Sequence, residues 1–362
     1  MAIPAQPRKS RRAATLADVG REAGVSAMAA SAVLNSAKTS TRISDDTRAR
    51  VLAAAEQLRY RPNATARGLA HRRMNTLGVA ATLIGDEPNQ YFLEVFNGIV
   101  RGAAEAGQTT TVFTLGSWDD ARERIPAFCD GRIDGLVMLA PLLQSDAADW
   151  LPEHTPMVSV HANDAIAGVV NLESDEEAGA FAMVSRLIQR GHRRILHVAG
   201  PEGALGAERR VHGYRRAHAA AGFLPPPDHV LRAGFGAEDG RCALEAWLRR
   251  HRGDELPEVV FAVSDAAALG CIDALLARGL RVPADVSVTG FDDSVLARAA
   301  RLATVRQPLR DLGRRAVEVL VERIDARSRE AAPRRTKNIV LPTELVSGAT
   351  LAAPRAHSLL IA

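Results

Sequence analysis

The residues of this chain that could do chemistry lie mostly in segments that follow apolar strand candidates. They combine aromatic rings, a guanidinium, an imidazole and carboxylates. Sugars and other small polar metabolites need this mixture, because a ring face can stack on the ligand while charged groups bond its hydroxyls. The set comprises Tyr91, Phe92, Trp118, His161, Arg210, Phe235, Ser264, Asp265, Asp292 and Asp293.

Several of these residues also have a plainer interpretation when they are taken alone. Phe235 could belong to the hydrophobic core, Asp293 could cap the helix that follows, and Arg210 could be a surface charge. Their shared position favours binding, because ligands of parallel sheets bind beyond the carboxyl ends of the strands.

Motifs for catalysis, cofactors and metals are missing from the sequence. The segment "GPEGALG" at residues 200–206 follows a strand candidate but lacks the spacing of a dinucleotide fingerprint. There is no P-loop, no HExxH and no metal-binding spacing of Cys and His. We therefore expect no cofactor, no metal and no enzyme activity.

A second chemistry-bearing stretch, "GVSAMAASAVLN", lies near the N-terminus. Thr15 with Asp18 predicts the start of one helix, and Ser26 predicts the start of the next. Gly24 between them supplies the turn, since glycine tolerates positive φ. A third helix is expected after Ser44. Three short helices with this turn are typical of a helix-turn-helix, although a generic helical hairpin has the same outline.

The second of these helices has an unusual surface for a DNA reader. Ala30, Val33 and Leu34 share one face and should pack inward. Small apolar groups on the other face can touch thymine methyls, and polar groups there can bond phosphates or base edges. That face could instead be a protein interface. The residues expected to face outward are Ala27, Met28, Ser31, Ala32 and Asn35.

The segment "YRPNATARGLAHRR" predicts a short hinge helix after the third helix. Pro62 ends the preceding helix, and Asn63 can cap a new one that contains Arg67 and Leu69. A helix this short is marginal in water, so DNA or a partner copy would have to hold it. Leu69 could insert into DNA, or it could pack under the following domain.

Charge is divided unevenly along the chain. Residues 1–73 hold 14 Lys and Arg against 5 Asp and Glu, a net charge of +9, whereas the rest of the chain carries −5. A basic segment of this kind is the electrostatic footprint of a polyanion binder. Residues 1–13 alone are expected to be a disordered basic arm.

Length, cysteines and hydropathy narrow the class of protein. A chain of 362 residues suits two or three domains. Three distant cysteines favour reduced thiols over a disulfide framework. No apolar run approaches the roughly 20 residues that span a membrane, and the basic start lacks the apolar core of a secretory signal. We expect a cytoplasmic protein without a membrane partner.

From residue 77 onward, apolar strand candidates alternate with amphipathic helices. The helices are expected at about 93–106, 178–190, 210–221, 237–251 and 266–278. This alternation predicts parallel α/β sheets, and the number of strands suffices for two lobes. The fold class is therefore multidomain, with an all-α helix-turn-helix headpiece and an α/β core of two lobes.

Taken together, these motifs resemble the lactose-repressor/galactose-repressor family of bacterial transcription regulators. The resemblance runs from about Thr15 to Ser347, and its most specific segments are "TLADVGREAGVS", "YRPNATARGL", "RVHGYRRA", "RVPADVSVTGFDDS" and "TVRQP". It implies a headpiece at 14–60, a hinge helix at 61–73, a periplasmic-binding-protein-like core at 74–350 and a tail at 351–362.

The resemblance also assigns roles. It implies a homodimer on double-stranded operator DNA, with Leu69 wedged into the minor groove at the operator centre and a small-molecule effector between the lobes. His161, Arg210, Phe235 and Asp265 match effector-contacting positions, and Gln307 lies near the cleft.

This chain departs from the family's pattern at several positions. The family often has Thr-Val-Ser-Arg where this chain has residues 29–32, so Ala32 replaces an arginine. Ser264 replaces a common asparagine, and the tail lacks a leucine heptad.

We conclude from the sequence that the chain is an effector-controlled transcriptional regulator, most simply a repressor. Two rivals remain open: a solute-binding protein without a regulatory role, and an enzyme fused to a DNA-binding domain. The missing secretory signal and the basic headpiece argue against the first, and catalytic turnover would favour the second.

Overall fold

The structure is a computed structural model that describes residues 12–35, 43–63, 66–68, 73–82, 90–251, 256–329 and 337–354. The chain divides into two compact units between Met74 and Asn75. Each unit has its own hydrophobic core, as expected for a chain of this length.

The N-terminal unit contains the three predicted helices, α1 (Leu16–Ala23), α2 (Ala27–Leu34) and α3 (Asp45–Gln57). Thr15 and Asp18 form a reciprocal capping box at the start of α1. Gly24 adopts the left-handed conformation with φ of 66°, which allows the chain to turn sharply into α2. The helix-turn-helix prediction is confirmed.

The core of this unit is small and consists mainly of alanine and valine. Val19 of α1, Val33 of α2 and Val51 of α3 are all buried in one cluster. Small side chains allow the three short helices to approach closely. Asn63 accepts a hydrogen bond from the Ala66 amide, so it caps the helical turn at residues 66–68 as predicted.

The larger unit is built on two parallel sheets. The first sheet has strand order β11-β5-β4-β3-β1-β2, and the second has order β7-β6-β8-β9. In chain order the strands of the first sheet are β1 (Thr76–Thr82), β2 (Thr109–Leu115), β3 (Gly135–Leu139), β4 (Met157–Val160), β5 (Val170–Ser174) and β11 (Ile339–Leu341). Those of the second are β6 (Ile195–Ala199), β7 (Val230–Arg232), β8 (Val259–Ala262) and β9 (Ser287–Thr289).

A short antiparallel ribbon joins β10 (Thr304–Arg306) to β12 (Glu344–Val346). The chain crosses between the sheets after β5, after β10 and after β11. We call the first sheet with its helices the first lobe, and the second sheet with its helices the second lobe. The prediction of a two-lobed parallel α/β core is confirmed.

Eight helices of the described larger unit cover the two sheets. Three belong to the first lobe: α4 (Gln90–Glu105), α5 (Ala121–Phe128) and α11 (Leu309–Ser328). Five belong to the second: α6 (Glu176–Gln189), α7 (Leu205–Ala220), α8 (Ala237–Arg250), α9 (Asp265–Leu276) and α10 (Val295–Ala299). The five predicted helices are present, but α7 begins five residues earlier than the sequence suggested.

Burial follows the pattern expected of parallel sheets. Strands β3, β4, β6 and β8 are buried along their whole length, because helices cover both faces. Two apolar clusters lie on the two faces of the first sheet, and two more lie on the faces of the second. This packing fixes the strand ends from which the functional side chains project.

Candidate functional site

Helix α2 presents a short apolar surface in the N-terminal unit. Ala27 and Met28 are exposed, and Met28 shows 81% of its surface. Ser26 caps the helix through a bond from the Ala29 amide, and the Asn35 amide group donates to Ser31 Oγ at 3.0 Å. The exposed end of α2 thus combines a flexible thioether with small groups, as the sequence predicted.

One residue of the predicted outward face is placed differently. Ala32 is only 6% exposed, so the expectation that its side chain faces outward is wrong. Ala32 nevertheless does not belong to the apolar cluster that contains Val33. Arg67 is exposed in the helical turn that Asn63 caps, whereas Leu69 lies outside the described residues.

In the larger unit, a chain of hydrogen bonds connects the two lobes. The Tyr91 hydroxyl lies 2.7 Å from His161 Nδ1, and the backbone N–H of Ser174 donates to His161 Nε2. Ser174 Oγ donates to Gln307 Oε1, and Gln307 Nε2 donates to Asp292 Oδ1 at 2.6 Å. These residues meet at one place, which we call the cleft network. They come from α4, from the end of β5 and from the positions that follow β4, β9 and β10.

The cleft network fixes the tautomer of His161. The backbone N–H of Ser174 donates to Nε2 at 3.0 Å, so Nε2 must be an acceptor and the ring hydrogen resides on Nδ1. Burial lowers the pKa of His161 and keeps the ring neutral. Nδ1 then donates to the Tyr91 oxygen, and the Tyr91 hydroxyl hydrogen has no acceptor within the described part of the chain.

Arg210 lies beside this network and is held on three sides. Its Nη2 donates to Glu176 Oε1 at 2.7 Å, and its Nη1 donates to the Val263 carbonyl. The guanidinium also stacks on Phe291, with its carbon 4.0 Å from the ring centroid. Because Arg210 is only 5% exposed and lies inside α7, the alternative that it is a surface charge is wrong.

The charge of Arg210 is compensated within the protein. Burial alone would raise the pKa of Glu176, but the guanidinium of Arg210 lowers it, so the two form an ion pair. Arg209 pairs in the same way with Glu173 at 3.0 Å. Burial raises the pKa of Asp292 to about 7, although Arg210 opposes this change.

Backbone conformation is unusual at two residues of the cleft network. His161 has φ of 53° and Asp292 has φ of 124°, values that non-glycine residues rarely adopt. Such residues persist only where the surroundings hold them, and they cluster at ligand sites.

Asp265 does not belong to the ligand-facing set. It is 1% exposed, and its carboxylate accepts from the Ser294 amide at 2.7 Å and from Thr304 Oγ1 at 2.6 Å. Both carboxylate oxygens therefore bind the protein itself. The expectation that Asp265 faces the effector is wrong, because the start of α9 turns it toward the loop that precedes α10.

The aromatic residues fall into two groups. Phe235 is 39% exposed near the ends of β6 and β8, and its backbone is held there because its carbonyl accepts from Ser264 Oγ at 2.6 Å. Trp118 is 5% exposed within the apolar cluster of α5, and Phe92 stacks on Phe96 in α4. Packing explains both of these residues, and the structure does not bring them into the cleft network.

Sequence reasoning missed Ser174 of the cleft network and Glu176, the partner of Arg210. Ser174 is the last residue of β5 and Glu176 is the first residue of α6, so both lie in the segment "LESDEEAG" at the carboxyl end of a strand. That position was the available signal.

Metal sites and membrane-spanning helices are absent from the described residues. No group of three or more His, Cys, Asp or Glu side chains there is arranged to hold a metal ion. None of the described helices is long and apolar enough to cross a membrane.

Comparison with known proteins identifies the family. Residues 15–63 match the profile of bacterial regulatory proteins of the lacI family, and residues 184–351 match the periplasmic binding protein-like domain. The HTH-type transcriptional repressor PurR of Vibrio cholerae serotype O1 is 30% identical over 322 residues, which cover 88% of this chain and 93% of that protein. This chain belongs to the LacI family of bacterial regulatory proteins.

Solved structures agree with this assignment. The lac repressor dimer bound to operator and the anti-inducer ONPF is 25% identical, has a TM-score of 0.80, and covers 94% of this chain and 99% of its own. The complex of the transcriptional regulator CelR with cellobiose is 28% identical, with a TM-score of 0.67, and covers 93% of this chain and 99% of its own.

The family decides between the functions that the sequence left open. Its members are transcriptional regulators, so this LacI-family protein is a DNA-binding transcriptional regulator with an effector-binding core. The alternatives of an unregulated solute-binding protein and of a fused enzyme are set aside.

Proposed function

We propose that this LacI-family protein is a repressor whose operator binding is controlled by an uncharged, hydroxyl-bearing effector such as a sugar. The observation that carries the proposal is the internal compensation of Arg210 by Glu176. A phosphate or carboxylate ligand needs an unpaired cation, and the described cleft residues offer none. A neutral polyol needs donors and acceptors, which the Tyr91 hydroxyl and Asp292 provide.

Charge around the cleft supports the same conclusion. Glu173 and Glu176 offset Arg209 and Arg210, and His161 is neutral. Asp292 then makes the site either neutral or negative, depending on its protonation. The exposed ring of Phe235 supplies a face on which a sugar ring can stack.

Calorimetry with paired ligands tests this proposal. At least one member of a panel of neutral sugars that includes cellobiose should bind. The 6-phosphate of the sugar that binds should have at least roughly tenfold lower affinity, because its charge finds no partner. Phe235→Ala should weaken sugar binding while preserving the fold. Tighter binding of the phosphorylated form, or of a nucleobase that lacks hydroxyls, would overturn the assignment of the effector class.

We also propose that the exposed end of α2 contacts operator bases with Ala27 and Met28, and that Ser31 and Asn35 bond phosphates or base edges. The exposure of Met28 supports this role. Because Ala32 replaces an arginine that is common in the family, this helix lacks the long polar side chain that reads guanine in many DNA-binding helices. More of the specificity should then depend on DNA shape and on the hinge, where Leu69 stays a predicted minor-groove residue.

Selection from random DNA tests the contribution of α2. Met28→Lys should change the preferred half-site bases, whereas Leu52→Lys adds the same charge to an exposed position of α3 and should leave them unchanged. Both variants should strengthen the salt dependence of binding to a similar extent. An identical motif from both variants would show that Met28 is away from the groove.

The form of the protein that binds DNA should be a homodimer on a pseudo-palindromic operator in the cytoplasm. The lac repressor structure described as a dimer on operator supports this state. Leu276, Val295 and Leu296 are about half exposed in the second lobe, which provides apolar surface for association. Light scattering at micromolar concentration measures the mass directly, and a monomer bound to a full operator would contradict the proposal.

A further inference from the structure

The second lobe contains a cavity that the effector cleft does not include. It has a volume of about 180 Å³ and lies between the last turn of α6 and the segment that follows β12. Arg186 and Arg190 line one side, and Ser347 and Gly348 line the other. Met183 and Leu351 add apolar surface from the neighbouring hydrophobic cluster.

The two guanidiniums in this cavity are not neutralised. Arg186 Nη2 donates to Ser347 Oγ at 3.0 Å, an uncharged acceptor. Within the described part of the chain, neither arginine has a carboxylate within ion-pair distance. This differs from the cleft, where Glu173 and Glu176 compensate both arginines.

The cavity is well separated from the cleft. Helix α6 begins at Glu176, which holds Arg210, and Arg190 follows its last residue. At about 1.5 Å per residue, the two ends lie roughly 20 Å apart along the helix. A ligand in this cavity therefore cannot touch the cleft network.

We propose that this cavity binds the oxyanion of a small organic acid that has an apolar body. Two guanidiniums separated by one helical turn can share the oxygens of a carboxylate, and charge-assisted bonds of this kind are the stronger ones. Met183 and Leu351 provide the apolar contact. The C-terminal end of α6 carries partial negative charge and opposes an anion, so the affinity is moderate, on the order of millimolar.

Ligand-detected NMR on the full-length protein tests this inference at constant ionic strength, with benzoate and acetate as the probes. Benzoate should bind more tightly than acetate, since both carry one carboxylate but only benzoate has an apolar ring. The double variant Arg186→Gln/Arg190→Gln should weaken benzoate roughly tenfold or more.

Two controls isolate the cavity. Arg249→Gln/Arg250→Gln removes two exposed arginines from the last turn of α8 and should leave benzoate affinity unchanged. Asp292→Asn changes the cleft and should also have no effect, which separates this inference from the proposed function. If the double variant does not fold, Arg190→Glu reverses one exposed charge and leaves the Arg186–Ser347 bond in place.

The outcomes are distinct. Three results would each overturn the proposal. They are an equal loss of benzoate affinity in both double variants, an unchanged benzoate affinity in Arg186→Gln/Arg190→Gln, and equal affinities for acetate and benzoate. Operator binding and sugar binding by Arg186→Gln/Arg190→Gln should match those of the parent, because neither arginine belongs to those sites.

Discussion

Two neighbouring strand ends of the second lobe use an aspartate in opposite ways. Asp265, at the start of α9 after β8, accepts hydrogen bonds through both carboxylate oxygens, from the Ser294 amide and from the Thr304 hydroxyl. Asp292, in the loop after β9, accepts from Gln307 through Oδ1, and its other oxygen has no hydrogen-bond partner among the described residues. The two strand ends therefore differ in whether the protein itself satisfies the carboxylate, and for this reason we expect only Asp292 to bind the effector.

Burial affects both carboxylates in the same direction. It raises the pKa of Asp265 to about 6 and that of Asp292 to about 7. A raised pKa alone would assign both residues to a functional site. The hydrogen-bond partners make the distinction, because only Asp292 joins the network that crosses the lobes.

The largest expected effect is the loss of stability in Asp265→Ala. The substitution leaves the Ser294 amide and the Thr304 hydroxyl buried without their acceptor, which should cost about 2–4 kcal/mol. Denaturant unfolding followed by circular dichroism measures the change. A variant that keeps its stability but loses the effector would restore the original expectation that Asp265 faces the ligand.

A smaller, pH-dependent effect is expected for Asp292→Asn. The folded protein holds the Asp292 proton up to about pH 7, whereas the unfolded chain releases it near pH 4, so the parent loses stability as pH rises through this window. Asparagine removes that loss. The variant should therefore be more stable than the parent at pH 8, with no advantage at pH 4.

Denaturation curves at pH 4, 6 and 8 measure this difference, and calorimetry should show weaker sugar binding in the same variant. Asp265→Asn is the matched control, since it makes the same chemical change where the partners are internal. If Asp292→Asn were less stable than the parent at pH 8, Asp292 would be a structural residue and the contrast between the two strand ends would fail.

The smallest effect on folding is expected for Tyr91→Phe. Loss of the hydroxyl leaves His161 Nδ1–H without its acceptor, which should cost about 0.5–1.5 kcal/mol, and the sugar should lose one hydrogen-bond donor. Tyr214→Phe is the control, because its hydroxyl donates to the Ile195 carbonyl inside the second-lobe core. Calorimetry should show a loss of sugar affinity only for Tyr91→Phe, and equal affinities would remove Tyr91 from the binding site.

The amino-acid sequence alone determined the elements of this protein and their class. The capping residues Thr15, Ser26 and Ser44 and the turn at Gly24 defined the helix-turn-helix, because these signals act within a few residues. Alternating strands and helices likewise defined the parallel sheets. Local hydrogen bonds and short-range periodicity are encoded next to the residues that they govern.

The tertiary structure alone decided which polar residues face the ligand. Asp265 and Asp292 both follow strands, and only the packing of α9 against the loop before α10 commits Asp265 to internal partners. In the same way, Glu176 lies 34 positions from Arg210 in the chain, yet their ion pair sets the charge of the cleft. Such pairings depend on how distant segments are packed, and no periodicity within one segment records them.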